Sequence, residues 1–177
     1  FEPLRQIIGE YEIMSYCVDK GDNLWIGTRG GGLYLREPSG RVSLFYRNGN
    51  TSEDNVIDVA ADDRHLWLGT LNGVVILNRE GRGEKFKARY DNYNGLPHNS
   101  ISQVFLKGDG PAVIAMIADR LYTIDPDKGV TEGKAVMYGT TRNEIISFCQ
   151  TSDGHAGWLI QMSMACRLRL CASYVAR

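Results

Sequence analysis

Short apolar runs separated by polar, glycine-rich turns recur along most of the chain, and each run has the length and side-chain types of a strand. The clearest pair is Leu24-Trp25-Ile26-Gly27-Thr28 and Leu33-Tyr34-Leu35, joined by Arg29-Gly30-Gly31-Gly32. The arrangement returns at Leu66-Trp67-Leu68-Gly69-Thr70 and Val74-Val75-Ile76-Leu77, joined by Leu71-Asn72-Gly73. Trp25 and Trp67 stand 42 residues apart. A repeat of roughly 40–50 residues built from short strands and turns predicts β-propeller blades. The predicted fold is all-β: β-propeller blades, each a four-stranded antiparallel meander, in an incomplete ring.

The first unit, residues 11–52, takes its strands from Ile13 to Val18, the Trp25 run, Leu33 to Leu35 and Val42 to Tyr46. Asp, Asn and Gly fill the turns between them, where tight hairpins need those residues. The second, 53–96, repeats this with Asn55 to Ala61, Leu66 to Leu68, Val74 to Asn78 and Lys85 to Tyr90. The third, 97–140, is degenerate: Ile114 stands where a tryptophan would, and Lys134 to Tyr138 is the expected fourth strand. The fourth, 141–158, is partial, with Ile145 to Cys149 mirroring Ile13 to Cys17. After Trp158 the pattern stops, so the propeller fragment is placed at 1–158 and residues 159–177 are expected to form an aberrant or disordered tail. Phe1 to Glu10 is expected to be the outer strand and exit of a blade whose beginning is missing, which makes the chain an excised piece of a longer protein.

Equivalent positions in a repeat do equivalent packing work. Trp25, Trp67 and Trp158 are therefore expected to pack between neighbouring sheets rather than serve as sugar-stacking platforms. Gly27 and Gly69 are read as sites of close strand approach, and Thr28 and Thr70 as β-branched residues suited to extended chain. Asn55, Asn99 and Asn143 recur every 44 residues, each expected to fold its side chain onto the following backbone amides as a blade begins. Cys17 and Cys149, 132 residues apart, are expected at equivalent inner-strand positions as small buried hydrophobes.

The glycine run at 30–32 is not a phosphate cradle, because a strand rather than a helix follows it and no Lys sits beside it. The four cysteines form no C-x-x-C pair and have no His at ligand spacing, so no metal and no cofactor is expected. His65, His98 and His155 lie in turns, as do Asp62, Asp63, Asp125 and Asp127, whose expected work there is capping. No nucleophile elbow is visible, and the segment is read as non-enzymatic. A net charge of −1 leaves no electrostatic footprint for nucleic acid or an anionic membrane, and no apolar run approaches a bilayer span.

Taken together, these residues resemble the two-component regulator propeller repeat. That family repeats a lead-in of the form N-G-L-P-x-N-x-(I/V), an inner strand ending in D-x-x-G, and then L-W-x-G-T-x-x-G-G-L. The lead-in stands here as Asn94-Gly95-Leu96-Pro97-His98-Asn99-Ser100-Ile101. The W-x-G-T step is Trp25-Ile26-Gly27-Thr28 and Trp67-Leu68-Gly69-Thr70, with Gly31-Gly32-Leu33 and Gly73-Val74-Val75 after it. The match covers roughly residues 11–158.

The resemblance implies the periplasmic sensor region of a membrane-bound sensor histidine kinase, of the hybrid two-component type found in gut Bacteroidetes. It implies a carbohydrate ligand, self-association in the full receptor, and a membrane reached only through other parts of the parent chain. Kinase and phosphorelay chemistry would belong to those other parts. On a rigid propeller, ligand contact is expected where the lead-in loops meet the turns between second and third strands. Arg29, Asn72 and His98 fall on that face and are the candidate ligand-binding residues. Two other functions remain open: a structural spacer or dimerisation propeller, and a polysaccharide-processing propeller enzyme.

Overall fold

A computed structural model describes residues 8–80, 85–106, 113–117, 120–131, 137–138, 141–142, 144–150, 156–161 and 169–174. The described residues are strands and turns arranged as successive antiparallel sheets. The first sheet has β1 (Ile13–Val18), β2 (Leu24–Thr28), β3 (Leu33–Arg36) and β4 (Val42–Tyr46) in sequence order. The second repeats the meander with β5 (Val56–Ala61), β6 (His65–Thr70), β7 (Gly73–Asn78) and β8 (Phe86–Tyr90). The third has β9 (Gln103–Leu106), β10 (Val113–Ile117), β11 (Arg120–Asp125) and β12 (Gly129–Thr131). A two-stranded hairpin, β13 (Met137–Tyr138) with β14 (Thr141–Arg142), precedes a three-stranded sheet of β15 (Glu144–Gln150), β16 (Ala156–Gln161) and β17 (Arg169–Tyr174).

Register establishes the repeat residue by residue. Cys17 pairs with Trp25, Ala60 with Trp67 and Phe105 with Ile114, so Ile114 does occupy the tryptophan position. The first strands share a β-bulge, between Ile13 and Ser15, Val56 and Asp58, and Ile145 and Ser147. One extra residue at the bulge shifts the alternation by one, so the fourth position of the strand, not the third, returns to the side from which it began. Val56 and Val59, three residues apart, thereby both reach the sheet before them, where they join the cluster around Trp25.

Among the described residues, the two joints between the first three blades are each a hydrophobic core. Trp25 packs with Val56, Val59, Leu66, Leu68, Val75 and Leu77 of the second sheet. Trp67 packs with Ile101, Val104, Tyr122 and Ile124 of the third. Exposures of 2% and 0% exclude Trp25 and Trp67 as sugar platforms. Gly27 and Gly69 make this approach possible: a Cβ on Gly27 would lie 2.7 Å from Val56 Cγ1, and one on Gly69 2.9 Å from both Ile101 Cγ2 and Val104 Cγ2. The close approach expected of these glycines is thus between blades. Cys17 packs, partly buried, against the Trp25 cluster, where burial, then the Asp58 and Asp19 carboxylates, push its thiol up to about 12.

Four expectations need correction. The fourth strand of the third unit is Gly129–Thr131, not residues 134–138. Asp125 Oδ1 accepts from the N–H groups of Asp127 and Lys128, and Gly129 at φ +91° turns the chain back at once. Trp158 pairs with Phe148, the counterpart of Tyr16, so it stands one residue out of phase with Trp25 and Trp67. Asn55 and Asn99 do not fold onto following amides. Asn55 Nδ2 donates back to Thr51 O (2.6 Å), and Asn99 Oδ1 accepts from Asn92 N–H (2.8 Å). Ile8–Glu10, the described part of the expected outer strand, is not strand.

Asn143 and the side chain of Cys149 lie outside the described residues. Within 159–177, where no propeller motif is present, the described residues are the end of β16 and β17, which pair antiparallel.

Candidate ligand-binding face

The turns between second and third strands and the lead-in loops do meet on one face, stitched together by backbone hydrogen bonds. In the first joint Gly32 N–H donates to Asp54 O (3.0 Å) and Leu71 N–H to Ser52 O (3.2 Å). In the second, Gly73 N–H donates to Asn99 O (2.6 Å) and Ile101 N–H to Thr70 O (3.0 Å). Thr28 and Thr70, fully buried, close their turns by donating Oγ1–H to the carbonyls of Gly32 and Gly73, each at 2.8 Å. Their task is thus a specific hydrogen bond, beyond suiting extended chain. Gly32 and Gly73 adopt φ +81° and +96°, and a Cβ on either would strike the carbonyl oxygen of Tyr46 or Tyr90. Only glycine fits there.

Buried carboxylates fix the loops further. Glu53 accepts from Tyr46 O–H (2.6 Å) and pairs with Arg89 Nη1 (3.2 Å), and Arg89 Nε also reaches Asp91 (3.1 Å). Asp54 accepts from the N–H groups of Asn48 (3.0 Å) and Gly49 (3.1 Å). In the lead-in after β8, Asn94 bridges Asp91 N–H and Arg89 O, and Leu96 anchors the loop in the Trp67 core. The loops are therefore a preformed surface rather than slack connections.

Of the three candidate residues, two already have partners. Arg29, exposed, pairs through Nε with Glu12 (2.9 Å), and its N–H donates to Glu12 O (2.8 Å). Asn72 Oδ1 accepts from Asn99 Nδ2 (3.3 Å), which ties the β6–β7 turn to the next lead-in. His98 is exposed beside Asn99. The structure thus brings Asn72 to the loop that carries His98, whereas Arg29 belongs to the first blade with Glu12.

Two tyrosines on these loops were missed by sequence reasoning. Tyr93, 90% exposed, projects from the loop that carries His98. Tyr11 lies under the Arg47 guanidinium, 5.5 Å from ring centroid to Cζ, beside an open depression of about 790 Å³ lined by residues 9–13. The only sequence signal for Tyr93 was an aromatic set within a polar, glycine-containing turn, Asn92-Tyr93-Asn94-Gly95. Among the described residues no group of three His, Cys, Asp or Glu side chains gathers as a metal site would require.

The opposite face, at the β1–β2 and β5–β6 turns, holds another repeated unit. Asp19 Oδ2 accepts from Trp25 Nε1–H (3.0 Å) and Asp62 Oδ2 from Trp67 Nε1–H (2.8 Å). Their Oδ1 atoms cap the turns, accepting from Gly21 and Asn23 N–H in one and from Arg64 and His65 N–H in the other. Burial pushes both carboxyl groups up, but the indole and turn hydrogen bonds outweigh it and hold both below the usual carboxylate range. Arg79 reaches both turns, with Nη1 3.7 Å from Asp19 Oδ2 and donating to Asp62 O (3.2 Å).

Comparison with solved structures fits this geometry. The chain is similar to the extracellular domain of BT3049 of B. thetaiotaomicron, named as a hybrid two-component system, with TM-score 0.65 and 17% identity over 82% of this chain and 20% of that one. It is similar to the extracellular domain of BT4673 of the same organism, named as a one-component system, with TM-score 0.62 and 18% identity over 85% of this chain and 19% of that one. It is also similar to an inactive variant of virginiamycin B lyase from Staphylococcus aureus, crystallised with quinupristin, with TM-score 0.62 and 11% identity over 84% of this chain and 49% of that one. These are β-propeller blades. At such identities the likeness is one of fold, and the chain spans about a fifth of the two B. thetaiotaomicron domains. No family model matches the chain, the propeller repeat it resembles included, and no curated protein sequence matches it.

Proposed function

We propose that this chain is an extracytoplasmic, ligand-sensing propeller segment of a two-component signalling receptor, non-catalytic in itself, with an oligosaccharide as its ligand class. The observation that carries the reading is the fastened loop face between the second and third blades. There the exposed ring of Tyr93 stands on the same lead-in as His98, and Asn99 of that lead-in is joined to Asn72 of the β6–β7 turn. A flat aromatic with polar donors around it suits a pyranose, whose faces are apolar and whose rim is hydroxylated. The likeness to extracellular domains of two-component systems supports the setting.

Signalling would act by population shift: a ligand that favours one arrangement of blades biases the segments that follow toward the membrane. Kinase activity, phosphorelay and self-association are assigned to the complete receptor. Calorimetric titration with a panel of oligosaccharides tests the reading. Heat with one of them, lost in Tyr93→Ala and His98→Ala but kept in Arg64→Ala on the opposite face, is the expected result. No heat from any oligosaccharide overturns it.

A spacer or dimerisation role is favoured by one observation: Arg29 and Asn72 are already engaged, with Glu12 and Asn99. A spacer gives no heat and, if it dimerises, a mass twice that of the chain in solution. The enzyme reading takes its support from the fold shared with a lyase. New reducing ends after incubation with polysaccharide would establish it in place of sensing.

A further inference from the structure

The dipeptide Asn-Gly occurs three times, at Asn48-Gly49, Asn72-Gly73 and Asn94-Gly95. All three fall in the loops of the candidate face, after β4, between β6 and β7, and after β8. An asparagine followed by glycine can be attacked at its own side-chain carbon by the glycine nitrogen, because no Cβ hinders the approach. The reaction requires that nitrogen to be free of other bonds, and the fold treats the three pairs differently. Gly49 N–H donates to Asp54 Oδ2 (3.1 Å) and Gly73 N–H to Asn99 O (2.6 Å), and Gly73 is buried as well. Among the described residues Gly95 N–H meets no acceptor, and Asn94 and Gly95 are both exposed.

The side chain of Asn94 bears on the other half of the step. Its Oδ1 accepts from Asp91 N–H (2.6 Å), a donor aimed at the oxygen on which negative charge gathers as the nitrogen adds. Its Nδ2 donates to Arg89 O (2.6 Å) through an exposed bond, for which water can substitute. We propose that Asn94 is a self-modification site, converted by water to aspartate and isoaspartate while Asn48 and Asn72 are protected by the fold. Gly95 N gives its proton to solvent and bonds to Asn94 Cγ. The Cγ–Nδ2 bond breaks, ammonia leaves with a proton from solvent, and a cyclic imide remains. Water then opens the imide at either carbonyl. Opening at Cγ leaves aspartate, and opening at the main-chain carbonyl leaves isoaspartate. The sum is amide plus water to acid plus ammonia, with nothing oxidised or reduced.

Either product alters the loop that carries Tyr93. Arg89 O loses the amide donor that held it and faces a carboxylate instead. Isoaspartate also adds one carbon to the main-chain path between Asp91 and Leu96, whose N–H donates to Asp91 O (3.0 Å) and whose side chain anchors the loop in the Trp67 core. The proposal goes beyond the sensing role and is independent of it, since the chemistry needs no ligand.

The experiment ages the folded full chain in mildly alkaline buffer made with heavy-oxygen water and maps the incorporated label by peptide mass spectrometry. A parallel sample is aged in denaturant. Unfolded, the three pairs should convert within about twofold of one another, because each is the same dipeptide without its hydrogen bonds. Folded, Asn94 should convert at least about tenfold faster than Asn48 or Asn72, whose glycine bonds must open first. Equal rates at the three sites of the folded chain overturn the proposal. So does faster conversion at Asn48 or Asn72, or label at residue 94 in denaturant alone. Hydrogen exchange of the aged chain tests the effect on the loop. Leu96 N–H should exchange about tenfold faster than in the fresh chain, and an unchanged rate would show that conversion leaves the loop as it was and overturn that part of the proposal.

Discussion

The indole N–H of Trp67 donates to Asp62 Oδ2 at 2.8 Å from the middle of an otherwise apolar joint. A buried tryptophan needs a partner for that donor, and the turn before it supplies one five residues upstream. The bond therefore couples two functions: the carboxylate that caps the hairpin also sets the ring of the residue that joins blades.

Removing the ring and removing only its donor separate these functions. Trp67→Ala empties the centre of the joint and should cost about 3–5 kcal/mol. Trp67→Phe keeps most of the packing but withdraws the donor from Asp62, and should cost about 1–3 kcal/mol. Denaturant melts of the two variants provide the comparison. A Trp67→Ala protein that kept its midpoint while losing only ligand would restore the sugar-platform reading.

Acid should weaken the joints from the turn side. Asp19 and Asp62 are held below the ordinary carboxylate value of 3.8, so the stability they contribute is present above that value and is lost as pH falls through their folded values. The melting temperature should drop steeply below about pH 4. Asp62→Asn should flatten that drop while lowering stability at neutral pH.

Asp58 should show the opposite sign. Burial raises its carboxyl above 3.8 despite hydrogen bonds from Val104 N–H and Val59 N–H. Its folded form binds its proton more tightly than the unfolded chain does, so its contribution is complete below 3.8 and declines as pH rises through the folded value. Asp58→Asn, which keeps an acceptor for Val104 N–H, should remove that decline. Melting temperatures of both proteins across pH 3–7 check it; identical slopes would count against the assignment.

Ser15 occupies the register position of Asp58, opposite Gly27 as Asp58 is opposite Gly69. Asp58 spans its joint to Val104 N–H at 2.9 Å, whereas the shorter Ser15 side chain leaves its buried Oγ without a partner. Ser15→Ala should therefore stabilise the protein, by about 1 kcal/mol, because it removes an unsatisfied hydroxyl from the first joint. A loss of stability in urea melts would show that the hydroxyl is satisfied in solution.

The blades were legible because their spacing is carried by residues that few others can replace. Tryptophan, glycine and threonine recur at Trp25, Gly27 and Thr28 and again at Trp67, Gly69 and Thr70, and each recurrence maps onto one physical task in the joint. Spacing alone misjudged the end of the third blade, where Asp125 and Gly129 turn the chain sooner than the period suggests. It also misjudged Asn55 and Asn99, because which neighbour an amide side chain bonds depends on a loop path that a sequence does not show.

At the candidate face, composition pointed to polar loop residues, yet Arg29 and Asn72 answer to Glu12 and Asn99. Tyr93 had no period to announce it. The Asp19–Trp25 and Asp62–Trp67 pairs did recur in the sequence, but at offsets of six and five residues, which hid the kinship.

The bulge beneath Val56 gives the architecture a rule for changing size. Because Val56 and Ile101 meet the preceding sheet through the same glycine contact, the third sheet is already shaped to sit directly on the first. Excising residues 56–100 would bring Gly27 against Ile101 with strand alternation preserved, whereas a cut even one residue out of phase would turn every apolar side chain of the following strand outward. Such a chain can therefore gain or lose whole units, each arriving with its own fitting, but tolerates no fraction of one.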